Sequence, residues 1–352
     1  MTLLAGPAVR RRLATPAGAP ARVSVVVPCY NYGRYVGAAV ASALDQEGVD
    51  VEAVVVDDAS PDGSGEVVRA LAARDPRVVA VLHDVNRRHI ATYNDGLGRA
   101  GGDYVVLLSA DDVLAPGALA RAVGVMRAAP DVGLVYGFSP SFADGPPTAT
   151  RPRRPHVVVR RGEHWIERVC ASGQNPVCTP TAVMRRDVLE RTGGYDARLP
   201  HTADLLMWLR AAAVADVAYV AGVDQAYYRV HGANMHATDF AHLADDLEQR
   251  REAFRVFAEE TLGGHSRAGR ACLAAATRAL VREAGRARRR LDPTDPATAG
   301  LAAALQDFER RHAPDRVPPA APTRPRPRLR AATDRMGDAV GWRRWRRSGL
   351  RW

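Results

Sequence analysis

The chain has 352 residues, 47% of them hydrophobic, and a formal net charge of +10, which is length and apolar content enough for one large domain or two ordinary ones. No apolar run approaches the ~20 residues of a transmembrane helix. The charge does not describe a nucleic-acid surface either, because twelve arginines against three aspartates place +9 within residues 311–352 and leave about +1 elsewhere.

Residues 1–22 lack the long apolar region of a secretory signal and read as a flexible leader. From there VSVVV (Val23–Val27) is an apolar run of strand length, and YVGAAVASALDQ after it has helical periodicity. VEAVVVDD, RVVAVLHD, YVVLLSADD and VGLVYGF repeat the strand signal. Between them lie helix-like segments near Glu66–Arg74 and Ala91–Ala100, and PGALARAVGVMRAAP with Pro at its helix start. Strands alternating with helices of this length predict an α/β fold, a mainly parallel sheet with helices on both faces. Ser141–Arg161, rich in Pro and Arg, reads as a loop insertion. Strands TAVMR and AYYRVH and the helix DLLMWLRAAA follow, to about Asn234. Helical periodicity then covers Phe240–Leu262, Arg267–Arg290 and Pro296–His312. The predicted organisation is a leader (1–22), an α/β domain (23–235), a C-terminal helical extension (236–312) and a Pro-, Arg- and Trp-rich basic tail (313–352).

In such sheets ligands bind beyond the carboxyl ends of the strands. Three of those ends carry polar groups: PCYN, DDASPDGS and SADD. Asp111 and Asp112 are like charges at the end of a core strand, which costs self-repulsion and desolvation, so a cation is expected beside them. Tandem acids of this kind hold Mg²⁺ or Mn²⁺, which neutralises a diphosphate. The competing structural role is Asp112 as the N-cap of the helix that follows. Asp57, in DDASPDGS, is better read as a turn former.

VSVVVPCYNYGRYVGAAVASAL, VEAVVVDDASPDGS and GDYVVLLSADDVLAPGALARAV, in this order and spacing, resemble glycosyltransferase family 2, inverting enzymes of the GT-A fold. The resemblance extends from about Val23 to Asn234. It implies that Pro28, Tyr30 and Asn31, with Cys29, line the nucleotide base and ribose, and that Asp58 hydrogen-bonds the base, as a carboxylate can to a ring N–H. It further implies that Asp111 reaches the ribose or donor sugar and that Asp112 is the metal ligand, with His231 of YYRVH as a further ligand. Asp204, ahead of Trp208, Leu209 and Arg210, takes the place of the family's general base, although position 203 is Ala where the family commonly has Glu. The chemistry needs one carboxylate to take the acceptor's proton. A helix N-cap is the structural alternative for Asp204, and the two roles are compatible. His201 stands near enough in sequence to contact acceptor or donor sugar.

Other motifs argue against competing functions. GLGRAG (Gly96–Gly101) matches a dinucleotide fingerprint, but it ends a helix and precedes a strand, the reverse of what that fingerprint requires. No G-x-S-x-G anchors a serine hydrolase. The Q-x-x-R-W motif and membrane spans of processive synthases are absent, which favours single-sugar transfer. The four cysteines, Cys29, Cys170, Cys178 and Cys272, have no CxxC spacing and are expected to be free thiols in a reducing cytosol. Trp342, Trp345 and Trp352 among five arginines suggest an anionic membrane surface as partner, with a disordered tail or RNA binding as alternatives. The sequence thus predicts a cytoplasmic enzyme, peripheral at the inner face of the membrane through its tail. It would move one sugar from a nucleoside-diphosphate sugar to a glycan or lipid-linked acceptor in glycan, polysaccharide or glycoconjugate biosynthesis. The alternative is a non-catalytic nucleotide-sugar-binding relative or a membrane adaptor.

Overall fold

The structure, a computed structural model, describes residues 9–12, 19–143, 145, 155–232 and 243–313. Its first half alternates strand and helix: β1 (Val9–Arg12), β2 (Ala21–Cys29), α1 (Gly33–Leu44), β3 (Val49–Asp57), α2 (Ser64–Arg74), β4 (Val78–Leu82), α3 (Arg88–Arg99) and β5 (Tyr104–Leu107). After β6 (Val113–Leu114) come α4 (Ala118–Ala128), β7 (Val132–Phe138), β8 (Ser141–Phe142), β9 (His156–Arg160), α5 (Gly162–Ser172), β10 (Val183–Arg185) and α6 (Arg186–Thr192). The chain continues through α7 (Ala203–Val214), β11 (Asp216–Asp224), β12 (Ala226–Arg229), α8 (Leu243–Val256), α9 (Arg267–Arg288) and α10 (Pro296–His312).

Nine strands form one sheet in the order β1-β9-β11-β7-β10-β5-β2-β3-β4. Only β9 and β10 run against the others, so the sheet is mainly parallel. Its two faces follow from the two-residue period of a strand. Val23, Val25 and Val27 of β2 pack with α1, α2 and α4, whereas Val26, with Val54 and Val56 of β3, packs towards α3. Helices α5 and α7 share this second core with Phe254 of α8, Leu280 of α9 and Phe308 of α10. The C-terminal helices are therefore continuous with the core beneath the sheet.

Gly96 explains part of the GLGRAG motif. It is buried in α3, and a Cβ there would overlap Val26 Cγ1 and come within 3.1 Å of Val56 Cγ2. The glycine is a close-approach residue between helix and sheet. The helix ends at Arg99 before β5 begins, so the motif opens no helix.

Three expectations are corrected. The leader contributes a strand, β1, paired with β9, and β2 starts at Ala21. The supposed loop Ser141–Arg161 contains β8 and β9, and β9 lies inside the sheet between β1 and β11. Its apolar signal is only the three valines of RPRRPHVVVRR, hidden among Pro and Arg. Thirdly, Cys170 and Cys272 form a disulfide, Cα–Cα 5.4 Å, while Cys29 and Cys178 are free. The pair is separated by 102 residues, so no local spacing could reveal it.

Candidate active site

The parallel strands β2, β3 and β5 end side by side. At this rim the backbone turns sharply: Asn31 and Ala59 both adopt left-handed conformations, φ 59° and 55°, which a non-glycine residue adopts at a steric cost. The turns are stitched together by side chains. Ser60 Oγ accepts the Asn31 N–H at 3.0 Å, and Asp57 Oδ2 accepts the Ser60 N–H at 3.2 Å. Asp57 is thus a turn former. Tyr30 projects from the same rim, 45% exposed, and Pro28 is half-buried within β2. Cys29 is no nucleophile, because burial pushes its thiol up to about 11.

Asp58 is buried beside them. Its Oδ1 meets His83 Nδ1 at 2.7 Å and accepts the Arg87 N–H at 2.8 Å, and His83 Nε2 lies 2.9 Å from Asp95 Oδ2. A buried imidazole tied at both nitrogens fixes the rotamer of Asp58.

The tandem acids lie at the end of β5. The cations next to them are Arg229 and, when protonated, His231. The Arg229 N–H donates to Asp112 Oδ1 at 2.9 Å, and its Nε donates to the Asp111 carbonyl at 2.8 Å. Arg229 is 9% exposed, and its guanidinium is sandwiched between Tyr35 and Phe142, 4.7 and 4.3 Å from the ring centroids. His231 Nε2 is 3.1 Å from Asp111 Oδ2, and its ring stacks on Tyr35 at 5.2 Å. Tyr32 meets His231 edge-on, and burial, reinforced by Asp111 and Asp112, raises its hydroxyl pKa. Burial likewise raises Asp111, outweighing the opposing pull of His231 and Arg229.

Among the described residues no group of three or more His, Cys, Asp or Glu side chains is preset to hold a metal. The donor chemistry present nonetheless fits a divalent cation that shares its shell with a diphosphate. Asp111 and Asp112 stand in tandem at the end of β5, His231 after β12 meets Asp111, and Asp112 Oδ2 is buried there.

Asp204 arrives from a different direction, in the first turn of α7, where a helix N-terminus favours an anion. The N-cap itself is Thr202, so Asp204 does not serve as one. Asp204 Oδ1 accepts the Leu205 N–H and Oδ2 accepts from Asn175 Nδ2, both at 2.7 Å. Burial raises the Asp204 pKa despite these bonds and the nearby His201. Tyr93 is buried within reach of the charges of both centres. Burial first, then the charges of Asp204, Asp111 and Asp112, raise its hydroxyl, and its ring packs edge-on against Tyr195 at 5.3 Å. His201 is held by Asp246 Oδ1 of α8 at 2.9 Å.

The structure therefore places Asp111 and Asp112 at the end of β5 with His231 against Asp111, Asp58 at the end of β3 with β2 between, and Asp204 on a different element, the first turn of α7. Sequence reasoning missed Arg229, His83, Tyr93 and Asn175. Arg229 and His83 lay in the strands AYYRVH and RVVAVLHD, and Asn175 opens the stretch NPVCTP that continues the family likeness, yet nothing local marked any of them as a site residue.

Residues 24–193 match the family model Glycosyl transferase family 2. The chain carries a family 2 glycosyltransferase domain. A curated relative, an uncharacterized glycosyltransferase of Nostoc sp., is 29% identical over 61% of this chain and 66% of its own. The succinoglycan biosynthesis protein ExoO of Rhizobium meliloti is 42% identical over 29% of this chain and 28% of its own. These matches thus span two thirds or less of the relatives' length. Two solved structures share the GT-A arrangement. S. aureus TarS 1-349 in complex with UDP-GlcNAc has TM-score 0.58 and 17% identity, covering 83% of this chain and 81% of that fragment. Mannosyltransferase PcManGT from Pyrobaculum calidifontis, in complex with GDP-Man and Mn²⁺, has TM-score 0.50 and 19% identity, covering 84% and 89%.

Proposed function

We propose that the chain is an inverting glycosyltransferase that moves one sugar from a nucleoside-diphosphate sugar to the hydroxyl of a glycan or lipid-linked acceptor. The observation that carries this is the pairing of a donor-side cluster, Asp111, Asp112 and His231, with a separately held carboxylate, Asp204. One group of residues meets the diphosphate and the other meets the acceptor. That division is what a single displacement requires.

In this reading Pro28, Tyr30 and Asn31 line the base and ribose, Asp58 accepts a base N–H, and Asp111 reaches the ribose or sugar. Asp112 and His231 would hold Mn²⁺ or Mg²⁺, which offsets the negative charge of the departing diphosphate. Asp204 takes the acceptor proton as the acceptor oxygen bonds to the anomeric carbon and the bond to the diphosphate oxygen breaks. The raised pKa of Asp204 suits it to hold that proton. No enzyme nucleophile is needed, consistent with the inert Cys29 thiol. The relationship to ExoO, a succinoglycan biosynthesis protein, supports a role in polysaccharide or glycoconjugate assembly. The Mn²⁺ bound with GDP-Man by PcManGT supports the choice of cation.

Thermal-shift screening with UDP, GDP and dTDP, with and without Mn²⁺, identifies the donor base. NMR of the product then reads the anomeric configuration. Inversion is expected, and retention contradicts the mechanism.

No helix among the described residues is long and apolar enough to cross a membrane. The Trp- and Arg-rich segment lies outside the described residues. Peripheral attachment to the cytoplasmic membrane face through that segment belongs to this proposal, and co-sedimentation with anionic liposomes tests it. Equal pelleting with and without residues 313–352 contradicts it.

A further inference from the structure

Asn175 follows α5 in the sequence GQNPV. Pro176 confines it to an extended backbone. Its Oδ1 accepts the Val177 N–H at 3.1 Å, an Asx-type turn that leaves the amide NH₂ to point away. A backbone N–H can only donate, so this bond fixes which end of the amide is which. The freed Nδ2 donates to Asp204 Oδ2 at 2.7 Å.

The segment that carries Asn175 is gripped from behind by the C-terminal helices. Arg250 of α8, 5% exposed, donates from Nη1 to the Gly173 carbonyl at 3.0 Å and to Glu283 Oε2 of α9 at 3.1 Å. Its Nη2 reaches Glu283 Oε1 at 3.1 Å and Asp246 Oδ2 at 2.7 Å. Glu283 Oε2 also accepts from Gln174 Nε2 at 2.6 Å. On the other side Asp246 holds His201, and Thr202 Oγ1 donates to the Gln249 carbonyl at 3.0 Å. The disulfide Cys170–Cys272 ties the same stretch of α5 to α9. Both arms that converge on Asp204, residues 173–175 and 201–202, are thus clamped by one buried Arg250 cluster. A forked guanidinium in a desolvated site holds several acceptors in a fixed relation.

We propose that Asn175 is a positioning residue for the base Asp204, and that α8 and α9 hold it in register through Arg250 and Glu283. This rests on Asp204 as the base. The C-terminal helices then belong to the acceptor side of the reaction. Removing the Asn175 amide takes away a donor that stabilises the carboxylate, so Asp204 should gain its proton more readily. The groups that face Asp204 besides Asn175, namely Tyr93, Tyr195 and His201, remain unchanged.

The test is the pH profile of nucleoside-diphosphate release by the full chain, using the donor whose nucleotide binds best among UDP, GDP and dTDP with Mn²⁺. Asn175→Ala is expected to lower kcat about 10- to 100-fold, to move the acidic limb to higher pH, and to leave nucleotide affinity unchanged. Arg250→Lys keeps the charge but loses the fork, and a smaller change in the same direction is expected. If that variant does not fold, Glu283→Gln reads the same link. A merely structural role lowers kcat equally at all pH. Asp204→Asn separates the two claims. If Asp204→Asn turns over like the wild type, the base assignment falls. If Asp204→Asn is inactive while Asn175→Ala keeps the wild-type profile, the positioning role alone falls. A wild-type profile in the Arg250 or Glu283 variant overturns the part given to the C-terminal helices.

Discussion

The two regions proposed as donor side and acceptor side of this molecule are built differently. On the donor side the polar groups sit on consecutive turns after β2, β3 and β5, and the sheet itself brings them together. On the acceptor side Asp204 enters on a helix, meets Asn175 from another segment, and both are backed by α8 and α9. A parallel sheet aligns strand ends as a consequence of its topology. The acceptor side has no such frame and depends on side-chain bonds that cross the chain. The two halves should therefore fail in different ways when altered.

The largest expected difference is at the proposed base, Asp204. Asp204→Asn should lower kcat by about 10²- to 10⁴-fold while leaving Mn²⁺-dependent nucleotide affinity unchanged, as read by steady-state kinetics and calorimetry. A matching loss of nucleotide affinity would merge the two halves. Next, Gly96→Ala forces a methyl between α3 and the valines of β2 and β3. Overpacking of that kind costs about 1–3 kcal/mol, which a lowered Tm reports.

A smaller effect is expected at His83, which fixes Asp58 from behind. His83→Ala should weaken nucleotide binding about tenfold, the scale of one hydrogen bond to a charged group, with kcat at saturating donor preserved. The finest comparison is the wild-type pH profile. Because burial raises Asp204, its carboxylate is lost as pH falls through a value above the ordinary aspartate range near ~3.9. The acidic limb of kcat should lie correspondingly high, and a limb at the ordinary value would place the base elsewhere.

The same contrast explains what could be read from the chain. The tandem acids, the PCYN turn and Asp58 were legible because each is a short local string at the end of an apolar strand. Their supports were not. Arg229 reaches Asp112 across 117 residues, Asn175 reaches Asp204 across 29, and His83 reaches Asp58 across 25. A hydrogen bond of that kind leaves no period or spacing in the sequence. Strand β11, DVAYVAGVD, escaped because its small and acidic residues blur the alternation, yet it supports β7 and β9 inside the sheet. The continuity of α8–α10 with the core of α5 and α7 was equally invisible, since helical periodicity shows an apolar face but not what it packs against.

Isothermal titration of nucleotide into the full chain, with and without Mn²⁺, tests most directly whether Asp111, Asp112 and His231 form a cation-bridged diphosphate site distinct from the base. Metal-dependent affinity should vanish in Asp112→Ala and persist in Asp204→Asn. Undiminished metal-dependent binding by Asp112→Ala contradicts the account.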